Sequence, residues 1–134
     1  MKRVLVRLVA LVLVLLMSWG HTSAALAADS LSGEYKQDTL SVLETLKTAL
    51  NLPIDAPERG PAQAEARKLI NDFTARYRRN GSVAKLSSYT TMRTALNSLA
   101  GHYSSYPNRP VPKKLKDRLE LEFGQVATAI NRGN

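Results

Sequence analysis

Beyond residue 30 the apolar positions return every three or four residues in four separate runs, divided by stretches rich in helix breakers. In the first run Tyr35, Val42, Leu43, Leu46, Ala49 and Leu50 fall on one stripe of a 3.6-residue helix, with Ser32 and Gly33 as entry residues. The segment NLPIDAPERGP (residues 51–61) has three prolines and a glycine and ends that helix. Pro61 suits the first position of a second helix, where a missing N–H costs nothing, and its stripe is Ala62, Ala66, Leu69, Ile70, Phe73 and Tyr77. NGS (residues 80–82) closes it, with Gly81 placed as a left-handed cap. The third run is the most regular: Tyr89, Met92, Leu96, Leu99 and Tyr103, until YPNRPVP (residues 106–112) stops it. The fourth carries Leu115, Leu119, Phe123, Val126 and Ile130.

Strand-like alternation is missing throughout. The pattern predicts an all-α fold, an antiparallel up-down-up-down four-helix bundle. Helices of about 17–20 residues would each be about 25–30 Å long at 1.5 Å per residue. In that topology the connections at 51–61 and 106–112 share one pole. The NGS turn and the ends of the bundle domain share the other.

The start of the chain has a different pattern. Lys2, Arg3 and Arg7 precede ten consecutive apolar residues (8–17), and small residues at Ala25 and Ala27 complete a secretory signal peptide. The run is short of the roughly 20 apolar residues that spanning requires. Residues 1–27 are therefore expected to be cleaved on export, and residues 28–134 to form a single bundle domain. Cleavage removes three basic residues and no acidic ones, so the net charge of +8 falls to +5. A moderately basic exported domain favours acidic partners such as acidic protein loops or anionic lipid headgroups, with nucleic acid the poorest fit.

Chemistry is sparse. Cysteine is absent, which excludes thiol catalysis, thiolate metal sites and disulfides. The one histidine beyond the signal, His102, lies about 100° from the third stripe and reads as a surface or flanking residue. No His-x-x-x-His or Glu-x-x-His spacing occurs. Glu120 and Glu122 point to different sides of a helix and read as solvated charges. No catalytic residue, cofactor site or metal site is predicted. An exported helical carrier, holding a small ligand or metal in its core, is the alternative; it would need polar groups on stripes that are apolar apart from tyrosine hydroxyls.

Two surfaces are candidates for binding. In RYRRNGS (residues 76–82), Arg78 and Arg79 must face outward because Tyr77 lies on the core stripe; they either complement a helix C-terminus or form an acid-binding patch. The second is GHYSSYPNRPVPKK (residues 101–114). Tyr103 continues the core stripe, Tyr106 lies at its frayed edge, and Pro107, Pro110 and Pro112 stiffen a loop presenting Asn108 and Arg109. A stiff exposed loop loses little entropy on docking.

The stretch TALNSLAGHYSSYPNRPVPKKLKDRLELEF (residues 94–123) resembles the signature region of the small lumenal photosystem II assembly and repair factors, the Psb twenty-seven family. EYKQDTLSVLETLKTAL (residues 34–50) and AQAEARKLINDFTARYRR (residues 62–79) resemble it in the same order. The resemblance implies a non-enzymatic, monomeric four-helix bundle in the thylakoid lumen. It implies transient binding to the lumenal side of immature photosystem II, at the large lumenal loop of a chlorophyll-binding inner antenna subunit. Binding would precede completion of the manganese cluster and of the extrinsic subunits. It makes Arg78, Arg79, Tyr103, Tyr106, Asn108 and Arg109 the candidate protein-binding surface, on either pole. Many cyanobacterial relatives carry a lipobox cysteine; this chain reads LAAD (residues 26–29) there and resembles a soluble lumenal form.

Overall fold

The computed structural model describes residues 31–134; the expected signal peptide and its cleavage point lie outside the described residues. Four long helices and one short one follow in order: α1 (Tyr35–Asn51), α2 (Arg59–Tyr77), α3 (Gly81–Ala84), α4 (Ser87–Ser105) and α5 (Lys113–Asn131). α4 packs most extensively on α5 and α1 on α2, while α1 against α5 and α2 against α4 close the ring. This is the up-down-up-down bundle that the four apolar stripes predict. Among the described residues no helix is long and apolar enough to cross a membrane.

The stripes form the core. Val42, Leu46, Met92, Leu99, Leu119, Phe123 and Val126 are completely buried, and Phe73 and Leu96 nearly so. With no disulfide available, this interdigitated apolar volume holds the fold together. The ion pairs Lys68–Asp72, Lys113–Asp117 and Arg118–Glu122 are all i,i+4 pairs; the first two are exposed and add little, while Glu122, expected as a solvated charge, is only 15% exposed.

Two predicted boundaries need correction. α2 starts at Arg59, so Pro61 occupies its third position rather than its first. The first turn tolerates this, because none of its N–H groups has an intrahelical acceptor. Gly81 is not a left-handed cap: the glycines with positive φ are Gly33 and Gly133. Instead Asn80 is extended, and its side-chain oxygen accepts from the N–H groups of Ser82 (3.1 Å) and Val83 (3.2 Å). Asparagine's ability to cap made NGS the start of α3 rather than only the end of α2. Val83 is buried and pins the turn to the core.

A polar knot closes this end. Asp38, on the buried face of α1, accepts from Tyr77 Oη (2.5 Å), from the Ser32 N–H (2.6 Å) and Oγ (2.7 Å), and from the Gly33 N–H (3.0 Å). Burial opposes ionisation of Asp38, yet these hydrogen bonds outweigh it and hold its carboxyl below the usual range. Burial, and then the bond to Asp38, push the Tyr77 hydroxyl well up. Beside them Tyr35 Oη lies 2.9 Å from Ser88 Oγ, joining α1 to α4, and its ring meets Tyr77 edge-on at 5.3 Å. Gly33, at φ +91°, lets the entry segment turn under Arg76, whose Nη2 would lie 2.8 Å from any Cβ added there.

Candidate functional site

At the opposite pole the connections 52–58 and 106–112 meet, as the topology requires. The first is shaped by two successive turns, Ala56 N–H to Pro53 O and Arg59 N–H to Ala56 O, both 3.1 Å. The second is gripped by the helices beside it. Gln63 Nε2 donates to Pro107 O (2.8 Å), Arg59 Nη2 to Asn108 O (3.2 Å), and His102 Nε2 lies 3.4 Å from Arg109 O. Three successive carbonyls thus accept from three side chains of α2 and α4. A carbonyl can only accept, so a hydrogen bond at this contact requires the Nε2–H tautomer of His102. Within the loop Arg109 N–H bonds Tyr106 O at 3.1 Å, and the Arg109 guanidinium stands 5.4 Å from the centre of the Tyr106 ring.

The same loop corrects the reading of His102 as a surface residue. It is only 9% exposed. Its angular position on α4 is off the stripe, but the returning loop covers it, with the Tyr106 ring 5.5 Å and the Tyr103 ring 6.1 Å away. Helical angle predicts burial along a bundle and fails at its end, where loops supply the missing neighbours.

Between the two connections opens a groove of about 570 Å³. Leu50, Leu52, Ile54, Tyr103, Val111 and the prolines 110 and 112 line it, and Arg59, Arg109, Lys113 and Lys116 stand at it with one acid, Asp117. Asp117 is engaged by Lys113 at 2.6 Å, which in turn raises the Lys113 pKa. Burial raises that of the Tyr103 hydroxyl. Ile54 is 71% exposed and Tyr106 48%, two of the three large apolar side chains most open to solvent among the described residues.

The structure therefore brings Tyr106, Asn108 and Arg109 together as an exposed surface beside the groove. Tyr103 lies beneath, 3% exposed, and contributes to the groove wall rather than to the outer face. Arg78 and Arg79 are exposed but belong to the other pole, the length of α2 away, about 28 Å at 1.5 Å per residue. Sequence reasoning missed Arg59, Gln63 and Ile54. A lone isoleucine among prolines was a visible signal for Ile54. Nothing local marks Arg59 or Gln63, whose acceptors lie 49 and 44 residues on.

Nothing in this arrangement is a nucleophile, a base or a ligand set; among the described residues no three His, Cys, Asp or Glu side chains converge as a metal site would require. An apolar groove with a cationic rim, on a preformed loop at the end of a small bundle, has the anatomy of a helical interaction protein. Comparison with known proteins makes this specific. Residues 2–130 match the family described as Photosystem II Pbs27. The chain is 57% identical over 111 residues to the photosystem II assembly factor lipoprotein Psb27 of Thermosynechococcus vestitus, covering 83% of each. It is 51% identical over 133 residues to the photosystem II lipoprotein Psb27 of Synechocystis, covering 99% of this chain and 97% of that one. To the chloroplastic photosystem II repair protein PSB27-H1 of Arabidopsis thaliana it is 33% identical over 101 residues, 75% of this chain and 58% of the other. The solution structure of Psb27 from cyanobacterial photosystem II superimposes with a TM-score of 0.74 at 56% identity, over 78% of this chain and 91% of that one. The chain belongs to the photosystem II Pbs27 family, whose members are non-enzymatic assembly and repair factors.

Proposed function

We propose that this chain is a photosystem II assembly and repair factor that works in the thylakoid lumen. It binds transiently to the lumenal side of immature photosystem II, at the large lumenal loop of a chlorophyll-binding inner antenna subunit. It acts before the manganese cluster is complete and leaves before the extrinsic subunits settle. The family membership supports the role, and the shape of the prolyl pole supports the mode of docking. Tyr106, Asn108 and Arg109 form the contact, with the groove beside them taking an apolar side chain of the partner.

The observation that carries this reading is the clamping of carbonyls 107, 108 and 109 by Gln63, Arg59 and His102. A loop so held is ordered before it meets its partner, so docking does not have to supply that ordering. The cationic rim steers a partner of opposite charge, and the apolar groove gives it an anchor. Both cyanobacterial relatives are named lipoproteins, whereas this chain has no cysteine to acylate. Docking to the complex is one route that holds it at the membrane system without an acyl chain on cysteine. Affinity-tagged chain purified from photosynthetic cells should bring down photosystem II lacking extrinsic subunits; recovery of the chain with no photosystem II subunit would overturn the reading.

A further inference from the structure

The pole opposite the groove concentrates cations that no ion pair among the described residues engages. Arg76, Arg78 and Arg79 end α2, Lys85 follows α3, Arg132 follows α5, and Lys36 stands in the first turn of α1; all six are exposed. Among the described residues the ion pairs are the three i,i+4 pairs on α2 and α5, and none includes any of these six. Among the described residues the acids at this pole are the exposed Glu34 and the buried Asp38, two against six cations. Asp38 is 1% exposed, with its oxygens taken by Ser32, Gly33 and Tyr77.

Helix-dipole compensation does not account for this excess. A helix C-terminus carries about half a negative charge, and α2 alone ends in three arginines. Lys36 and Lys85 lie at the N-terminal ends of α1 and α4, where a cation is mildly unfavourable. The six cations therefore answer to something outside the molecule. At the α2–α3 turn a folded protein partner is a poor match, because Tyr77 and Val83 are buried there and the exposed Leu121 lies off the turn, in a groove on the α5 side shared with Ser87 and Arg132. A diffuse charged plane needs no anchor and no fixed stereochemistry.

We propose that this pole binds the headgroups of an anionic lipid bilayer, independently of the prolyl pole that docks the protein complex. Binding of this kind is additive over the cations, confined to within a Debye length, and released by salt. With one pole on the lipid surface and the other on the complex, the search for a partner is reduced from the lumen to its boundary. The inference goes beyond the photosystem II reading and stands without it.

The test is co-sedimentation of the full chain with vesicles of phosphatidylcholine alone and with about one third phosphatidylglycerol. The ratio of the two partition coefficients removes the apolar contribution of the N-terminal segment, and the contribution of Lys2, Arg3 and Arg7 is common to wild type and variants and cancels when their ratios are compared. Wild type should favour anionic vesicles, and salt should abolish the preference. Arg78→Glu with Arg79→Glu should lower the ratio by about tenfold or more. Arg78→Gln with Arg79→Gln, which puts no acid at a helix end, should lower it by a smaller factor. Arg67→Glu with Arg93→Glu makes the same change in net charge on the exposed flanks and should leave the ratio within about twofold. No anionic preference in wild type, or equal losses in the two glutamate pairs, would overturn the proposal.

Discussion

Tyr77 donates its hydroxyl hydrogen to Asp38 across the α1–α2 interface at 2.5 Å, and the same carboxylate holds the backbone of Ser32 and Gly33. One buried acid thus ties the end of α2 to the start of α1 and to the segment that leads into it. Tyr77→Phe is expected to destabilise the bundle by about 1–3 kcal/mol, the cost of leaving a buried charged acceptor short of a partner. Asp38→Ala should cost more, because four donors lose their acceptor. Urea unfolding followed by circular dichroism reads both, and a midpoint unchanged in Asp38→Ala would contradict the assignment.

The same pair sets a pH window. Asp38 has its pKa depressed in the folded state, so its contribution is present above the unfolded value of about 4 and disappears as pH falls through the folded one. Tyr77 has its pKa raised, so its contribution is full below about 10 and declines as pH rises above that. Stability should be flat with respect to this pair between the two limits and fall outside them. In Asp38→Asn the part of the acid-side slope that comes from this carboxyl should vanish, a difference visible in unfolding midpoints taken across the acid range.

How much of this was legible beforehand follows from what sequence patterns encode. The stripes on α1, α2, α4 and α5 are local, and most of the residues they name are buried, while Tyr35, Ala49, Ala62 and Leu115 near the helix ends are only partly so. The crowding of both prolyl connections at one pole follows from helix count alone. Asp38 was a polar residue standing within the first apolar stripe, three after Tyr35 and four before Val42, and its satisfaction by Tyr77 depends on a partner 39 residues away. His102 failed for the same reason: its cover comes from a loop that helical angles do not see. The choice of Asn80 as a cap rather than Gly81 turned on Val83 reaching the core, which no breaker motif records.

Packing predictions separate core from ornament. Phe123 is fully buried in the α4–α5 interface, so Phe123→Ala should cost about 3–5 kcal/mol. Leu121, two residues earlier and 65% exposed, should change stability by no more than about 0.5 kcal/mol when cut to alanine. The two variants share a helix and nearly a position, so a common effect in chemical denaturation would mean that the facing of α5 is wrong.

Preorganisation of the prolyl loop is open to its own test. Gln63→Ala removes the donor that holds Pro107 O, leaving an exposed carbonyl that water can satisfy. Global stability should drop by about 1 kcal/mol or less. The Arg109 amide, bonded to Tyr106 O, should exchange with solvent markedly faster, as read by hydrogen exchange. Binding to the partner should weaken through the restored cost of ordering the loop.

The central claim is that the prolyl pole, and not the arginine-rich turn, docks photosystem II. Its most direct measurement is the equilibrium affinity of the chain for detergent-solubilised, manganese-free photosystem II, where no bilayer surface remains to bind. Arg109→Glu should weaken that affinity by about tenfold or more, by reversing a charge beside the anchoring groove, while Arg78→Glu with Arg79→Glu leaves it unchanged. The reverse order, with the turn variant losing affinity and Arg109→Glu binding as wild type does, would contradict the account.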